Sequence, residues 1–276
     1  MTLRETLHHI EQRLSPLYDP REATAIAREV VCRACGYSFS QLVMHYDEQC
    51  VIDNLQSITE QLAAGRPVQY VTGVAEFCDI DFVVREGVLI PRPETAEIVE
   101  YVVAHSFEGA HILDVGTGSG AIAITLAKRV KDSVVTAVDI SDRALKTAAE
   151  NVERNGVNIR LVKADALTDM SAVGEFDIIV SNPPYIPQSD MAQMHKNVVD
   201  YEPHSALFVA DDDALCFYRS IARNGVTMLR KGGSLFFEIY EHFGSQVAAL
   251  LEQMGYSDIE VVSDMFGKQR MVWCRR

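Results

Sequence analysis

The spacing of hydrophobic positions predicts two differently built regions, the first of which is helical. Leu3, Leu7, Ile10 and Leu14 follow the spacing of an amphipathic helix, and prolines interrupt the pattern shortly after it. Residues 1–68 are therefore predicted to form a small helical domain, of the kind that presents a face to a partner. The further helices of this region are expected at about residues 22–35, 40–45 and 53–64.

From residue 111 onward, short apolar runs alternate with longer helical patterns. This alternation is typical of a mostly parallel, doubly wound sheet with helices on both faces. We therefore predict an α/β domain over residues 94–276. Its strands are expected near residues 111–115, 134–139, 159–163, 176–181, 234–239, 258–263 and 270–274, with helices from about residues 120, 142, 213 and 244.

Residues 69–93 connect these two regions and are predicted to form a β-hairpin linker. The linker ends in Ile90-Pro91-Arg92-Pro93-Glu94-Thr95, where two prolines restrict the entry into the next helix. We expect this rigid exit to position a functional group. The strands of the hairpin are expected at residues 76–77, 82–84 and 88–90, with the turn at residues 85–87.

Composition and charge narrow the classes of function. The chain has 276 residues, 48% of them hydrophobic, so it can bury a large core. Acidic residues outnumber basic ones by 39 to 25, which disfavours a dedicated nucleic-acid surface without excluding a local basic groove. No apolar run reaches the roughly 18 residues that span a bilayer, and the N-terminus lacks the apolar segment of a secretory signal. We therefore expect a cytoplasmic protein.

The six cysteines do not predict a metal site. Only Cys32 and Cys35 are closely spaced, and a zinc site would need a second pair of ligands that the sequence lacks. Both sulfurs would lie on one face of a helix, so we expect small core residues. Disulfides are not expected in a cytoplasmic protein.

A glycine-rich turn after the strand at 111–115 indicates a nucleotide site. Residues 113–120 read Leu-Asp-Val-Gly-Thr-Gly-Ser-Gly, which lets a ligand approach the amides at a helix N-terminus. Asp139 ends the next strand and can accept hydrogen bonds from both hydroxyls of a ribose. The spacing G-x-G-x-G differs from the G-x-G-x-x-G of dinucleotide sites, and Asp114 suits a cationic ligand better than a diphosphate. S-adenosylmethionine is therefore favoured over a dinucleotide.

The tetrapeptide Asn182-Pro183-Pro184-Tyr185 directly follows the apolar run at 176–181, which is typical of a buried strand. Proline lacks an N–H, so backbone carbonyls near it have fewer partners in the chain and can point into a cleft. The Asn amide adds an acceptor and a donor, and the Tyr ring adds a flat apolar wall. Such a site fits a planar group with N–H donors, either an amide or the exocyclic amine of a nucleobase.

Together these motifs resemble a known family. The glycine loop with Asn-Pro-Pro-Tyr is similar to the class I amino-type methyltransferases. The segment Val88-Leu89-Ile90-Pro91-Arg92-Pro93-Glu94-Thr95 resembles one branch, the protein-(glutamine-N5) methyltransferases of the PrmC/HemK family. These enzymes methylate the glutamine of the Gly-Gly-Gln motif in class 1 peptide release factors. The resemblance covers essentially the whole chain, and its other matching positions are Gln69, Tyr70, Gly73, Glu76, Phe77, Asp139, Tyr201, Glu202, Pro203, Ala206 and Leu207.

The resemblance implies a class I S-adenosylmethionine-dependent methyltransferase fold, in which the N-terminal helical domain contacts the release factor. It implies S-adenosylmethionine as cofactor and a class 1 release factor as partner, with no direct binding of nucleic acid or membrane; we expect a monomer. Ala166 departs from the family, which commonly has an aromatic there, and the lost packing on adenine is worth about 1 kcal/mol. The predicted cofactor-binding residues are Gly116, Thr117, Gly118, Ser119, Gly120, Asp139, Asp165, Ala166 and Asn182.

Asn182 and Pro183 are predicted to position a weak nucleophile. The Asn182 side-chain oxygen and the Pro183 carbonyl would accept the two N–H hydrogens of the substrate amide and aim its lone pair at the methyl group. Tyr185 would pack against the plane of the amide, and Asp165 would accept from the adenine amino group. Arg92 either anchors the substrate or pairs with an acid. The predicted catalytic residues are Asn182, Pro183 and Tyr185, and the predicted substrate-binding residues are these three with Pro184 and Arg92.

Two other functions compete with this one. An RNA or DNA amino-methyltransferase would use the same tetrapeptide, but the acidic net charge and the segment at 90–95 favour a protein substrate. A non-catalytic adaptor with the same fold is disfavoured because the glycine loop, Asp139 and the tetrapeptide are all intact.

Overall fold

The computed structural model describes residues 1–264 and 266–276, which form two compact units. The first unit contains Met1–Val74 and His195–Tyr201, and the second contains Ala75–Met194 and Glu202–Arg276. In the described part of the chain, no helix is both long and apolar enough to cross a membrane.

Helices predominate in the first 73 residues, and strands occur from residue 74 onward. The helices are α1 (Leu3–Leu14), α2 (Pro20–Cys35), α3 (Phe39–Met44), α4 (Leu55–Ala63), α5 (Val68–Thr72), α6 (Thr95–His105), α7 (Ala121–Arg129), α8 (Asp142–Asn155), α9 (Lys196–Tyr201), α10 (His204–Leu207), α11 (Cys216–Met228) and α12 (Gly244–Gln253). The strands are β1 (Val74–Phe77), β2 (Ile80–Val83), β3 (His111–Val115), β4 (Val134–Asp139), β5 (Ile159–Lys163), β6 (Phe176–Ser181), β7 (Ile186–Pro187), β8 (Phe208–Val209), β9 (Leu229–Glu238), β10 (Ser257–Ser263) and β11 (Gln269–Arg275).

The first unit is built from short helices around one apolar core. Helix α1 begins at a capping box in which the Thr2 hydroxyl accepts from Glu5 N and the Glu5 carboxylate accepts from Thr2 N. Helices α1 to α4 lie close to where the sequence predicted them. Helix α9 joins this unit from far along the chain, and its Tyr201 hydroxyl donates to Ala64 O at 3.1 Å. The sequence did not predict α5 or α9, because neither is long enough to show helical periodicity.

The hairpin turns earlier than the sequence predicted. Strands β1 and β2 pair across Cys78 and Asp79, whose φ angles are 50° and 60°. Type I′ hairpin turns require this left-handed conformation at both central residues. The prediction of a turn at residues 85–87 within the hairpin was therefore wrong, and residues 88–90 form no strand. The position of the hairpin turn was predicted wrongly because Gly87 belongs to a separate turn, in which Val88 N donates to Arg85 O at 3.1 Å.

The second unit contains a seven-stranded sheet in the order β10-β11-β9-β6-β3-β4-β5. Strand β11 is antiparallel to both of its neighbours, and the other pairings are parallel. Alternate strand residues face opposite cores: Ile112 and Phe236 pack with α6 and α7, whereas Leu113 and Phe237 pack with α11 and α12. This arrangement confirms the predicted doubly wound, mostly parallel sheet.

The register of the sheet places four strand ends in one row. Val115 of β3 pairs with Val138 of β4 on one side and with Ser181 of β6 on the other, and Ser181 also pairs with Phe237 of β9. The Ser181 hydroxyl strengthens this row by donating to Val115 O at 2.7 Å. The residues that directly follow the row are Gly116, Asp139, Asn182 and Glu238.

One buried side chain ties the hairpin to the turn after β3. Asn151 lies on α8 and is fully buried. Its Oδ1 accepts from Val83 N at 2.7 Å, and its Nδ2 donates to Val83 O and to Ser119 O, each at 2.9 Å. A single amide therefore satisfies three backbone groups from two separate segments, as buried polar groups require.

We expect Asn151→Ala to lower the free energy of unfolding by about 3 kcal/mol, because it leaves these buried backbone groups without partners. Urea denaturation followed by circular dichroism measures this loss. The exposed Asn158→Ala is the matched control, since the same atoms are removed at a position without these bonds. A loss below about 1 kcal/mol in the Asn151 variant would show that water or a rearrangement of the chain replaces the three hydrogen bonds of Asn151.

Candidate active site

A cleft of about 1150 Å³, counted with its solvent-filled mouth, opens at the edge where β3, β4 and β6 end. In α/β sheets, ligands bind beyond the carboxyl ends of the strands, at the point where the strand order reverses. Strand β3 lies at that point here, between β6 and β4. The predicted site residues that line the cleft are Arg92, Gly116, Thr117, Gly118, Ser119, Asp139, Asp165, Ala166, Asn182, Pro183 and Pro184.

The glycines of the loop after β3 have two different roles. Gly116 and Gly118 adopt φ angles of 78° and 56°, and a Cβ atom on either would meet no atom within 4 Å. The backbone there is therefore open to close approach by a ligand. Gly120 differs, because a Cβ on it would lie 3.1 Å from Ile124 Cδ1 and 3.3 Å from Ala148 Cβ. It allows α7 to pack against α8, and it is not among the described residues that line the cleft.

Asp114 is a fully buried acid at the base of this loop. The Thr117 hydroxyl donates to its Oδ2 at 2.7 Å, whereas Oδ1 has no hydrogen-bond partner within residues 1–264 and 266–276. Burial raises the pKa of Asp114 to about 7, although the Thr117 hydroxyl opposes the shift. An unpartnered carboxylate oxygen next to the loop is the kind of group that a cationic ligand would stabilise.

Asp139 ends β4 with its carboxylate at the cleft. Its Oδ2 accepts from Gly118 N at 2.9 Å and its Oδ1 from Ser141 N at 2.8 Å. Burial raises the pKa of Asp139, and backbone hydrogen bonds from Ser141 and Gly118 oppose the shift. Each oxygen has two lone-pair positions, so the carboxylate keeps acceptor capacity for a ligand hydroxyl.

Asp165 and Ala166 follow β5 and line the same cleft. Asp165 Oδ1 accepts from Leu167 N at 2.8 Å, so this carboxylate also closes a local turn. The Ala166 carbonyl accepts from the Ser220 hydroxyl at 2.7 Å, which ties this segment to α11. The ring of Phe217, also on α11, lines the cleft and supplies an aromatic surface that Ala166 lacks.

Asn182 is held by a partner that the sequence analysis did not identify. Its Nδ2 donates to the hydroxyl of Thr95, the first residue of α6, at 3.2 Å. With Nδ2 on Thr95, the amide keeps Oδ1 as its acceptor for other groups. Beyond the tetrapeptide, β7 pairs with β8, and Tyr185 N donates to Leu207 O at 3.3 Å. These backbone bonds hold the tetrapeptide at the end of β6.

Tyr185 lies behind the cleft: it is not among the described residues that line it. Its hydroxyl donates to Glu238 Oε1 at 3.1 Å, and its ring stacks with Tyr240 at a centroid distance of 6.2 Å. Burial raises the pKa of Tyr185 well above its usual value, and the charge of Glu238 adds to this shift. Tyr185 is therefore a hydrogen-bond donor that keeps its proton at neutral pH.

Arg92 lines the cleft and pairs with a buried acid. Its Nη2 lies 2.6 Å from Oε1 of Glu202, whose side chain is only 1% exposed. Glu202 Oε2 also accepts from Ile90 N at 3.2 Å. The sequence left open whether Arg92 anchors the substrate or pairs with an acid, and the structure shows the ion pair with Glu202. This ion pair holds the two-proline segment at the cleft.

Sequence reasoning missed two polar residues behind the tetrapeptide. Thr95 belongs to a segment already singled out, but nothing in the sequence pointed to Asn182 as its partner. Glu238 ends an apolar run, as Asp139 does, and this pattern was the signal that could have identified it. The sequence also showed no sign of the apolar wall of the cleft, which includes Phe77, Val88, Leu89, Ile122, Phe217 and Ile221.

Comparison with known proteins identifies relatives over most of the chain. A release factor glutamine methyltransferase from Bacteroides thetaiotaomicron is 40% identical over 272 residues, which cover 97% of this chain and 98% of the relative. One from Flavobacterium psychrophilum is 42% identical over 231 residues, covering 80% of this chain and 81% of that protein. The family model for the PrmC N-terminal domain matches residues 5–73, and that for the methyltransferase small domain matches residues 95–201.

A solved structure supports the same fold. A methyltransferase from Pyrococcus furiosus superposes with a TM-score of 0.52 at 21% identity, covering 72% of this chain and 89% of that one. Together with the family models, these relatives confirm the predicted class I fold and methyltransferase activity with S-adenosylmethionine as methyl donor. At 40% identity over nearly its full length, the chain belongs to the release factor glutamine methyltransferases.

Proposed function

We propose that this chain transfers a methyl group from S-adenosylmethionine to the side-chain amide nitrogen (N5) of the glutamine in the Gly-Gly-Gln motif of class 1 release factors. The observation that carries the proposal is the hydrogen bond from Asn182 Nδ2 to Thr95, which fixes the amide at the strand end next to the glycine loop. An amide held in this way matches the N–H hydrogens of another amide.

The residues present fit the proposed cofactor. The open backbone of Gly116 and Gly118 leaves room for a ligand, and the free acceptor sites of Asp139 suit the ribose hydroxyls. Asp114 lies buried at the base of the loop, where a negative charge favours a cationic ligand, and Asp165 would accept from the adenine amino group. When bound, S-adenosylmethionine supplies an electrophilic methyl group on a sulfonium. The residues proposed to hold it are Gly116, Thr117, Gly118, Ser119, Asp139, Asp165, Ala166 and Asn182, with Gly120 shaping the loop by packing.

The chain contributes positioning of the substrate amide. Its nitrogen is a poor nucleophile, because the lone pair is delocalised into the carbonyl. Asn182 Oδ1 and the Pro183 carbonyl accept the two N–H hydrogens, which orients the lone pair and stabilises positive charge developing on nitrogen. Tyr185 does not act as a base, because burial keeps its pKa high. It supports the tetrapeptide from behind, while Pro184 and Arg92 shape the substrate side of the cleft.

We also propose a partner for the chain and a separate role for each of its three regions. Residues 1–68 contact the release factor, residues 69–93 act as a linker, and residues 94–276 carry out methyl transfer. Acidic residues outnumber basic residues by 39 to 25, which supports a protein rather than a nucleic acid as the direct partner. The protein acts as a monomer in the cytoplasm, without binding membranes.

We expect Asn182→Ala to reduce methyl transfer to the release factor by about 100-fold or more, since the substrate nitrogen loses the group that aims it. Transfer of label from the cofactor to purified release factor measures the rate, with Asn158→Ala as the matched control. A release factor with Gln→Ala in its Gly-Gly-Gln motif should receive no label. Label on bulk RNA or DNA, with none on the factor, would overturn the proposed function.

We expect Asp139→Ala to weaken binding of S-adenosylmethionine by about 10- to 100-fold, as for the loss of charged hydrogen bonds. Isothermal titration calorimetry on the purified chain measures the dissociation constant. The matched control is Asp142→Ala, which removes an 80% exposed carboxylate that pairs with Lys163. Equal affinities for both variants would remove Asp139 from the cofactor site.

Asp114 should make the stability of the ligand-free chain depend on pH. Folding raises its pKa from 3.8 to about 7, so between these values the folded chain holds a proton that the unfolded chain has lost. The free energy of unfolding therefore falls as the pH rises through this window and levels off above it.

Asp114→Asn removes this titration, so its advantage over the unsubstituted chain should grow from about pH 5 to pH 7, by at most ~1.4 kcal/mol per pH unit. Urea denaturation at pH values across this window measures the difference. The exposed Asp142→Asn is the control and should show no such trend. A difference that stays constant with pH would mean that Asp114 is already ionised throughout.

A further inference from the structure

Glu238 is a buried acid that the proposed reaction does not use directly. It follows Phe237 in the sheet row that also ends at Ser181, so it lies next to Asn182 at the end of the neighbouring strand. The residue is only 5% exposed. Its Oε1 accepts from the Tyr185 hydroxyl at 3.1 Å, whereas Oε2 has no hydrogen-bond partner in the described chain.

Thr95 lies between Glu238 and Asn182. Its hydroxyl oxygen accepts from Asn182 Nδ2 at 3.2 Å, which leaves its own proton for another acceptor. Helix α6, which Thr95 begins, packs against β9, which Glu238 ends. A hydrogen bond from the Thr95 hydroxyl lowers the pKa of Glu238, against the larger raising effect of burial. A buried hydroxyl with a proton to donate therefore lies beside a buried carboxylate oxygen that needs a donor.

We propose that Glu238 is a positioning residue for the methyl-transfer reaction: it accepts the Thr95 proton and thereby fixes which end of the Asn182 amide faces the substrate. A hydroxyl that donates to a carboxylate has only lone pairs left for its other neighbour, so Asn182 must present Nδ2 to it. Asn182 Oδ1 then faces the substrate amide. The inference rests on the proposed function only in identifying that amide as the substrate.

The reverse orientation of the Asn182 amide would not suit the substrate, so a neighbouring group must exclude it. The two ends of an Asn amide have almost the same shape, so packing alone does not distinguish them. If Thr95 donated to Asn182, the amide would turn its NH₂ group toward the NH₂ group of the substrate, and donor would meet donor. A carboxyl oxygen that carries no proton accepts hydrogen bonds and does not donate them, so Glu238 Oε2 in that state removes this ambiguity. Glu238 also binds Tyr185, so one carboxylate orients the first and last residues of the tetrapeptide.

The test compares Thr95→Val, Thr95→Ser and Glu238→Gln with the matched control Thr125→Val. Thr125 is also buried on a helix, but its hydroxyl donates only to the Ala121 carbonyl of its own helix. We expect kcat for release factor methylation to fall about 10- to 100-fold in Thr95→Val and Glu238→Gln. KM for both substrates should stay within about twofold, because binding surfaces are retained. Thr95→Ser keeps the hydroxyl and should recover most of kcat, and Thr125→Val should retain it.

A second readout needs neither cofactor nor substrate. In Asn-selective ¹⁵N-labelled protein, the Asn182 side-chain NH₂ signals are assigned by their loss in Asn182→Ala. They should shift in Thr95→Val and in Glu238→Gln, and stay in place in Thr125→Val. Normal kcat together with unshifted signals in Thr95→Val and Glu238→Gln would overturn the inference. If the unsubstituted chain did not label the release factor, the proposed function would fail, and the NH₂ signals would still decide the orientation of Asn182.

Discussion

The parallel register of β6, β3 and β4 is the constraint on which the rest of the site depends. Val115 is paired on both sides, so the chain leaves the sheet at the same height after each of these strands. A slip by one residue in any pairing would turn the following side chain to the other face of the sheet. The glycine loop, Asp139 and Asn182 are close together because the register permits only one arrangement, and apolar residues buried on both faces enforce it.

Buried polar contacts then fix the segments that the sheet itself does not hold. Asn151 ties the hairpin to the loop after β3, and Glu202 holds Arg92 and the backbone of Ile90. Each of these side chains satisfies groups far away in sequence, so losing one leaves several unpaired at once. Loops at an active site gain definite positions in this way without forming regular structure.

The sequence predicted what depends on local pattern and missed what depends on distant partners. The strands, the glycine loop and the tetrapeptide are contiguous and keep the periodicity or composition of their class. The hairpin turn was predicted at the wrong place because its central residues, Cys78 and Asp79, have positive φ angles but are not the residue types that usually mark such a turn. Gly87 is such a residue type, and it indicated a turn at its own position. Tyr185 was expected at the substrate, yet its hydroxyl turns back to Glu238, a residue 53 positions away whose approach no local pattern reveals.

Three acids near the strand ends lower the stability of the ligand-free fold. Burial raises the pKa of Asp114, Asp139 and Glu238, so each is less readily ionised in the folded chain than in water. Asp114 also keeps one oxygen without a hydrogen-bond partner in the part of the chain described here. A fold selected for stability alone would replace such groups with apolar ones. Their placement is therefore best understood through what they hold: Asp139 lines the cleft, whereas Asp114 binds Thr117 of the glycine loop and Glu238 binds Tyr185 of the tetrapeptide.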